Sequence, residues 1–237
     1  MTESFEFTSI GGREENQDAL ATCELDGKGI YLVADGLGGH RNGALASQRI
    51  VTSLMRAWKN DPDWDIEKLK KHTEAANREI IDIQVQTQSR AKSTLALVVL
   101  SQAKVLWANS GDSRIYRIRA GEICQITEDH SVAYRKYKNG EITKAEIAGD
   151  EDQSSLLRTL GSERRWEPDF YEDELKSGDA FLLCSDGFWE YISDEEMLVD
   201  WLKASSAVNW TRLMLLRILP RIPPNNDNLS VITVMHH

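Results

Sequence analysis

The chain has 237 residues, 41% of them hydrophobic, and a formal net charge of −10 with a pI near 5.1. This length and hydrophobic content predict a single domain over residues 1–237 with a substantial core. Basic residues form no run longer than a pair, which argues against a nucleic-acid-binding protein. No segment reaches the roughly 18 apolar residues that span a bilayer, and the N-terminus lacks the basic and apolar regions of an export signal. We therefore expect a cytoplasmic protein that binds neither nucleic acid nor membranes.

The number and spacing of the three cysteines also indicate a cytoplasmic protein. Cys23, Cys124 and Cys184 are odd in number and show no C-x-x-C spacing. Two of them lie inside apolar strand-like runs. This pattern predicts buried, reduced thiols of a cytoplasmic protein and not a catalytic thiol or a metal site.

The N-terminal part of the chain reads as three strands followed by two amphipathic helices. Apolar runs predict strands at residues 5–10, 19–25 and 30–34. Apolar positions at helical spacing then predict two helices, each of which must cover an apolar surface. These positions are Ala46, Ile50, Leu54 and Trp58 in the first helix and Ile66, Leu69, Thr73, Ala76, Ile80, Ile83 and Thr87 in the second.

The remainder returns to strands and closes with two further helices. Strands are predicted at residues 94–101, 104–108, 115–119 and 123–127, separated by short turns. A capping box at Ser193 and Glu196 predicts a helix start, and a second helix is expected over residues 210–219 before the last strand at 229–234. Runs of strands and separate helix pairs predict an α+β fold of layered sheets and helices. The apolar face of the first closing helix is assigned to Met197, Leu198, Trp201 and Leu202.

Two distant apolar runs lead directly into an Asp-Gly pair. Residues 30–34 precede Asp35 and Gly36, and residues 181–185 precede Asp186 and Gly187. Further acids stand at the boundaries of other apolar runs, namely Asp112 and Asp227. If these strand ends meet, neighbouring carboxylates repel each other by roughly 4 kcal/mol per pair at an effective dielectric near 20. The cluster would then need cations, and oxygen ligands without His or Cys favour Mg²⁺ or Mn²⁺.

Several segments, taken together and in order, resemble the protein phosphatase 2C family of metal-dependent serine/threonine phosphatases, and most of all its short bacterial members. The resemblance spans nearly the whole chain. It implies a four-layer sandwich in which two antiparallel β-sheets are flanked by helix pairs. The matching segments are residues 12–19, 33–40, 108–114, 127–131, 156–161, 184–187 and 227–228.

The resemblance implies a metal centre with two ions. Asp35 would bridge them, since a carboxylate can span the roughly 3.5–4 Å separation of such sites, and the carbonyl of Gly36 would assist one ion. Asp186 and Asp227 would complete the first ion, and Asp18 would serve the second, mostly through water. A water bridging the two ions would attack phosphorus directly, without a phospho-enzyme intermediate.

Three more residues receive roles from the same resemblance. Asp112 would hold a third, looser ion. Arg13 would bind phosphate oxygens, because its planar guanidinium matches two of them at once. His40, in a glycine-rich turn beside the bridging Asp35, would protonate the departing seryl or threonyl oxygen.

Each of these residues also has a structural interpretation. A strand-terminal Asp-Gly is commonly only a turn, Arg13 could form a surface ion pair, and His40 could cap the following helix. For Asp129 and His130 we favour a structural role, in which their side chains fix a turn by hydrogen bonds to the backbone.

The segment at about 130–155 corresponds to the mobile flap of the family, and here it departs from the family pattern. Residues 149–155 are strongly acidic where many bacterial relatives carry His-Pro, and residues 92–95 read Lys-Ser-Thr-Leu in place of a Gly-Thr-Thr strand start. With Lys144 as the only nearby cation, the flap acids Asp150, Glu151 and Asp152 predict a preference for phosphopeptides with basic flanking residues.

Three functions are compatible with these motifs. The leading one is an Mg²⁺- or Mn²⁺-dependent phosphatase acting, as a monomer, on phosphoproteins made by a serine/threonine kinase. A catalytically weak module that binds a kinase or phosphoprotein is the alternative, although the retained acids argue against it. A hydrolase of small phosphoesters is the third. Short members of the family often oppose a kinase, some within type VI secretion control, and the resemblance permits that setting.

Overall fold

The computed structural model describes residues 1–38, 41–164 and 166–237, and within them the strands form two antiparallel sheets. The first sheet has the order β1-β11-β10-β7-β8 and the second the order β2-β3-β5-β6-β9, with the short β4 paired to β3. The strands are β1 (Thr2–Ser9), β2 (Asp18–Leu25), β3 (Lys28–Leu37), β4 (Lys92–Ser93), β5 (Leu95–Leu100), β6 (Lys104–Ser110), β7 (Arg114–Arg119), β8 (Glu122–Gln125), β9 (Asp169–Glu174), β10 (Ala180–Cys184) and β11 (Leu229–His236).

Helices cover the outer faces of both sheets. The capping box predicted at Ser193 and Glu196 is present at the start of α5, and Asp65 caps α2 by accepting a hydrogen bond from the backbone N–H of Lys68. The helices are α1 (Arg41–Asn60), α2 (Ile66–Thr87), α3 (Val132–Lys138), α4 (Asp186–Trp189), α5 (Asp194–Lys203) and α6 (Ala207–Ile218), with a 3-10 helix at Lys144–Gly149.

Three buried apolar clusters separate four layers, as the alternation along β3 illustrates. Ile30, Leu32 and Ala34 pack with the apolar faces of α1 and α2. Tyr31 and Val33 point to the opposite face, because side chains alternate along a strand, and meet the first sheet. The third cluster lies between that sheet and the α5–α6 pair. The predicted α+β four-layer sandwich is therefore confirmed.

The sequence missed several elements because their residues carry weak apolar patterns. Strand β9 reads Asp-Phe-Tyr-Glu-Asp-Glu and pairs only with β6. At a sheet edge one face can remain solvated, so a strand can form there with many charged residues. The short helices α3 and α4 and the 3-10 helix were also not predicted. Strand β3 continues through Asp35 and Gly36 to Leu37 instead of ending before them.

Two assignments of buried side chains were wrong. Leu202 is 63% exposed, although Met197 is buried and Leu198 and Trp201 are partly buried beside it. Cys124 is exposed on the edge strand β8, whereas Cys23 is half-buried and Cys184 is buried. Both side chains face solvent, Leu202 on α5 and Cys124 on the edge strand β8.

Within the described part of the chain, no helix combines the length and the apolar character needed to cross a lipid bilayer.

Candidate functional site

Two acids of the second sheet face each other. Asp18 is the first residue of β2 and pairs in register with Asp35 of β3. Opposite residues on antiparallel strands project to the same face of the sheet, with Cβ atoms about 4.5–5.5 Å apart. The strand pairing therefore places two carboxylates side by side.

The first sheet contributes Asp186 and Asp227. Asp186 opens α4 directly after β10, and Asp227 stands two residues before β11, which is the neighbour of β10. At Gly187, a Cβ would lie 2.1 Å from the carbonyl oxygen of Asn228 and 3.4 Å from the Cβ of Asp227. Glycine is thus required here, because only its bare backbone lets the two acidic segments approach this closely.

Ser185 joins the acids of the two sheets. Its hydroxyl donates to Asp18 Oδ2 at 2.8 Å and accepts from the backbone N–H of Ser230 at 3.1 Å. Since Ser185 directly precedes Asp186, this contact brings the pair from the second sheet to the pair from the first.

Asp112 and Gln153 complete the group. Asp112 lies between β6 and β7 and is only 3% exposed. The amide Nε2 of Gln153 lies 3.5 Å from Asp112 Oδ2 and 3.4 Å from Asp186 Oδ2. The end of the flap segment, residues 130–155, therefore lies against the carboxylate cluster, which we define as Asp18, Asp35, Asp112, Asp186 and Asp227.

Burial, and then the charges of neighbouring acids, raises the pKa values of four acids of the cluster. Burial, followed by the charges of neighbouring acids, raises the pKa of Asp18 to about 7 despite hydrogen bonds from serine hydroxyls. Burial and Asp227 raise the pKa of Asp186 to about 6. Burial is also the largest cause of the pKa increases of Asp35 and Asp112, followed by the other acids of the cluster. The charged forms of these four acids are therefore disfavoured unless positive charge is added beside them.

The donor set fits hard divalent cations. Asp18 Oδ1 is buried and accepts no hydrogen bond from any described residue. Over residues 1–38, 41–164 and 166–237, no three His, Cys, Asp or Glu side chains are arranged to hold one ion by themselves. Mg²⁺ characteristically uses only one or two carboxylates and retains several waters, so the cluster could hold such ions with water completing their coordination.

Gly36, which follows Asp35 of the cluster, lies where β3 meets α1. A Cβ at this position would lie 2.1 Å from the carbonyl oxygen of Gly43, in the first turn of α1. The strand and the helix can approach this closely only with glycine at Gly36. The carbonyl oxygen of Gly36 itself lies against Gly43.

Arg13 lies at the rim of the cluster and pairs with one of its acids. Its Nε donates to Asp227 Oδ1 at 3.0 Å and a terminal nitrogen donates to Asp227 Oδ2 at 2.7 Å. The two side chains are 55% and 40% exposed. The structure therefore places two predicted site residues together, with the guanidinium in the bidentate geometry that also suits phosphate.

Asn228 fixes the loop that carries Arg13. Its side-chain oxygen accepts from the backbone N–H of Gln17 at 2.8 Å, and its amide donates to the carbonyls of Ile10 at 2.9 Å and Glu15 at 3.1 Å. Loop 10–17 is thus attached to the residue that follows Asp227.

The roles predicted for His40, Asp129 and His130 have different outcomes. His40 lies outside the described residues. Asp129 is buried and accepts three hydrogen bonds from Arg114, at 2.7–3.0 Å. His130 Nδ1 accepts from the backbone N–H of Gly111 at 3.3 Å. The contact of His130 with the backbone agrees with the structural role favoured from the sequence. Asp129 binds the buried side chain of Arg114 instead of a backbone group.

The charge environment predicted for the flap was wrong in one respect. Lys136, which the sequence interpretation overlooked, lies 2.9 Å from Asp150 and 2.9 Å from Asp152. Lys144 instead pairs with Asp194 of α5. The charges of Asp150 and Asp152 are therefore partly offset within the flap, because α3 brings one lysine over them.

Three residues near the cluster were not predicted as site residues. They are Ser185, Gln153 and Glu190. Burial, followed by the charges of Asp186 and Asp227, raises the pKa of Glu190 to about 8. A helical reading of residues 186–190 could have found it, because residues four apart share one face of a helix. No local pattern marks Gln153.

Comparisons with known proteins agree with this geometry. A model of the protein phosphatase 2C family matches residues 9–213. The serine/threonine phosphatase stp of Listeria monocytogenes is 34% identical over 194 residues, which cover 78% of this chain and 77% of that protein. Protein phosphatase PhpP of Streptococcus pneumoniae is 32% identical over 197 residues, covering 80% of each.

Solved structures share the fold over the full length of the chain. The serine/threonine phosphatase PstP/Ppp of Mycobacterium tuberculosis has a TM-score of 0.86 at 28% identity, covering 100% of this chain and 99% of that one. The catalytic domain of PstP in complex with two manganese ions has a TM-score of 0.85 at 27% identity, with 99% and 97% coverage. PppA of Pseudomonas aeruginosa, described as a key regulatory component of the type VI secretion system, has a TM-score of 0.77 at 25% identity, with 100% and 98% coverage.

Proposed function

We propose that this chain, which belongs to the protein phosphatase 2C family, removes phosphate from phosphoserine and phosphothreonine side chains of proteins. Membership of this family, together with relatives that are serine/threonine phosphatases, identifies the chain as an enzyme, a metal-dependent serine/threonine phosphatase. The observation that carries the proposal is the carboxylate cluster, in which acids from both sheets are buried together without enough positive charge.

In the proposed site, two core ions of Mg²⁺ or Mn²⁺ are held by Asp18, Asp35, Asp186 and Asp227, with help from the Gly36 carbonyl. Asp112 would serve a third, looser ion. When bound, such ions would supply the charge that makes a water nucleophilic at neutral pH and that offsets the charge on the phosphoryl group. The acids contribute position, because the strand register of β2 with β3 and the Ser185 contact hold them before any ion arrives.

Arg13 and His40 complete the proposed chemistry. We propose that Arg13 binds two phosphate oxygens of the substrate and exchanges its contact with Asp227 for them. Both side chains are partly exposed, so the exchange requires no buried rearrangement. His40 would give a proton to the seryl or threonyl oxygen as it leaves.

Hydrolysis of a phosphothreonine peptide with and without chelator tests the proposed function. We expect turnover only when Mg²⁺ or Mn²⁺ is supplied, because carboxylates alone do not lower the pKa of water to neutrality. Release of phosphate would be measured after exhaustive chelation and again after each metal is returned. Undiminished turnover in chelator would rule out the metal-dependent site.

Replacing Arg13 with alanine should mainly raise KM. The guanidinium would contact phosphate oxygens in the ground state and in the transition state alike, so its loss removes uniform binding. We expect a rise of about tenfold, equivalent to about 1.4 kcal/mol, with little change in kcat. Steady-state kinetics on one phosphopeptide measure both constants.

An unchanged KM with a large fall in kcat would instead make Arg13 a transition-state residue. Arg212→Gln, an exposed arginine of α6, serves as the control for loss of one positive charge away from the site.

We further propose a cytoplasmic monomer that opposes a serine/threonine kinase. Similarity to PppA makes type VI secretion control one setting in which to search for that kinase. Light scattering of the purified protein tests the monomer against its chain mass of 26.8 kDa, and a mass twice as large would contradict it.

A further inference from the structure

A cavity of about 780 Å³ lies beside the flap segment, and none of the residues that line it belongs to the carboxylate cluster. Basic side chains from three parts of the chain line it. They are Lys70 of α2, Arg135 of α3, and Arg158 and Arg164 from the segment that leads to β9. We call this cavity the cationic pocket.

The charge of the cationic pocket is opposite to that of the whole protein. Among the described residues that line it, four are basic and two, Glu167 and Asp169, are acidic, which gives these residues a formal charge of 4 − 2 = +2. The chain as a whole carries −10. Such a local reversal attracts anions, and it is most effective in a concave site where field lines are focused.

Two of the four cations are not engaged by other side chains. Arg158 pairs with Asp169 at 2.9 Å and Lys70 with Glu67 at 3.0 Å. Arg135 and Arg164 are exposed, and neither guanidinium has an ion pair or a hydrogen bond within the described residues. A free guanidinium offers paired N–H donors that match phosphate oxygens.

The rest of the cavity wall is apolar and ordered by packing. Leu157, Phe170 and Tyr171 line it. The ring of Tyr171 stacks on Trp107 of β6, with centroids 5.3 Å apart. An apolar wall next to free arginines suits the carbon atoms of a peptide that carries a phosphoryl group, and it does not by itself attract small ions.

A short chain of contacts connects the cationic pocket to the carboxylate cluster. Arg158 contacts Asp169, and the other oxygen of Asp169 lies 3.1 Å from His130 Nε2. Because His130 Nδ1 accepts the N–H of Gly111, Nε2 must carry the proton and donate to Asp169. Gly111 directly precedes Asp112 of the cluster, so a continuous series of contacts joins the pocket to the cluster.

We propose that the cationic pocket binds a second phosphoryl group of a multiply phosphorylated protein substrate while a first phosphoryl group is hydrolysed at the carboxylate cluster. The inference rests on the proposed phosphatase function. It does not depend on the preference for basic flanking residues predicted from the flap, where Lys136 pairs with Asp150 and Asp152.

The test compares peptides that carry one phosphothreonine with peptides that carry, in addition, a non-hydrolysable phosphonate analogue of phosphoserine at increasing separations. With wild-type enzyme and metal, we expect one separation at which kcat/KM rises about tenfold through a lower KM, equivalent to about 1.4 kcal/mol. The double variant R135Q/R164Q should lose this rise. The matched control K59Q/R212Q removes two exposed charges elsewhere and should retain it.

Three results would overturn the proposal. They are no separation at which the phosphonate helps, a rise that survives in R135Q/R164Q, and an equal rise when phosphoserine is added as a separate molecule. The last result would identify an independent ligand instead of the substrate.

If the proposed phosphatase function is wrong, the wild-type enzyme will not turn over the singly phosphorylated peptide, and this result is distinct from those above. In that event, binding of the doubly substituted peptide, measured by calorimetry, still tests the pocket. Binding that R135Q/R164Q does not weaken would overturn the proposal, and binding weakened about tenfold would support it. Thermal unfolding of each variant checks that the exposed substitutions leave the fold intact.

Discussion

Asp186→Asn is expected to lower kcat on a phosphothreonine peptide by at least about a hundredfold, equivalent to about 2.7 kcal/mol of activation free energy. The amide keeps the shape of the side chain, but it removes the charge that would hold the first ion. The fold should remain intact, because burial disfavours the charged carboxylate of Asp186 in the metal-free protein, as its raised pKa of about 6 indicates. Steady-state kinetics and thermal unfolding of the same preparation separate the two effects.

Asp82→Asn provides the matched control for the Asp186 variant. Asp82 is an exposed residue of α2, and its substitution should leave kcat unchanged. If Asp186→Asn retained more than about a tenth of the wild-type rate, Asp186 would not be a direct ligand of an essential ion.

The metal-free protein should lose stability as the pH rises through the range in which the cluster ionises. A group whose folded pKa is raised contributes stability below its unfolded pKa and loses that contribution as the pH rises through the folded pKa. The pKa of Asp18 is raised to about 7 and that of Asp186 to about 6. The contribution of these acids is therefore present near pH 4 and lost between about pH 4 and pH 7, amounting to a few kcal/mol.

Added Mn²⁺ should reverse this loss, because an ion that binds only the folded state stabilises it by mass action. We expect a larger rise in Tm at about pH 7.5 than at about pH 5, where protons compete for the carboxylates. Asp18→Asn removes one of these contributions, and chelated Asp18→Asn should show a weaker fall of Tm with pH than chelated wild type. Parallel pH profiles for the two proteins would contradict the assignment.

Sequence patterns predicted the elements whose burial is regular. The spacing of Leu54 and Trp58 predicted the buried face of α1, and the continuous apolar run at residues 30–34 predicted a buried strand, β3. Sequence patterns did not predict elements that are only partly buried, such as the charged edge strand β9. The ion pairs of Lys136 with Asp150 and Asp152 also escaped prediction, because Lys136 lies 14 residues before Asp150, with the 3-10 helix between them.

The sequence by itself determined the family, because segments such as Asp35-Gly36 and Asp186-Gly187 occur in family order, and that resemblance implied the four-layer fold and the candidate acids. Only the tertiary structure decided how those acids meet, through the hydroxyl of Ser185, the register of β2 with β3, and the amide of Gln153. It also decided that Arg13 pairs with Asp227, and that four scattered basic residues line one pocket. The physical reason is that helix and strand periodicity depends on residues close together in sequence. Electrostatic interactions and hydrogen bonds depend instead on distances between atoms, which the packing of the layers determines.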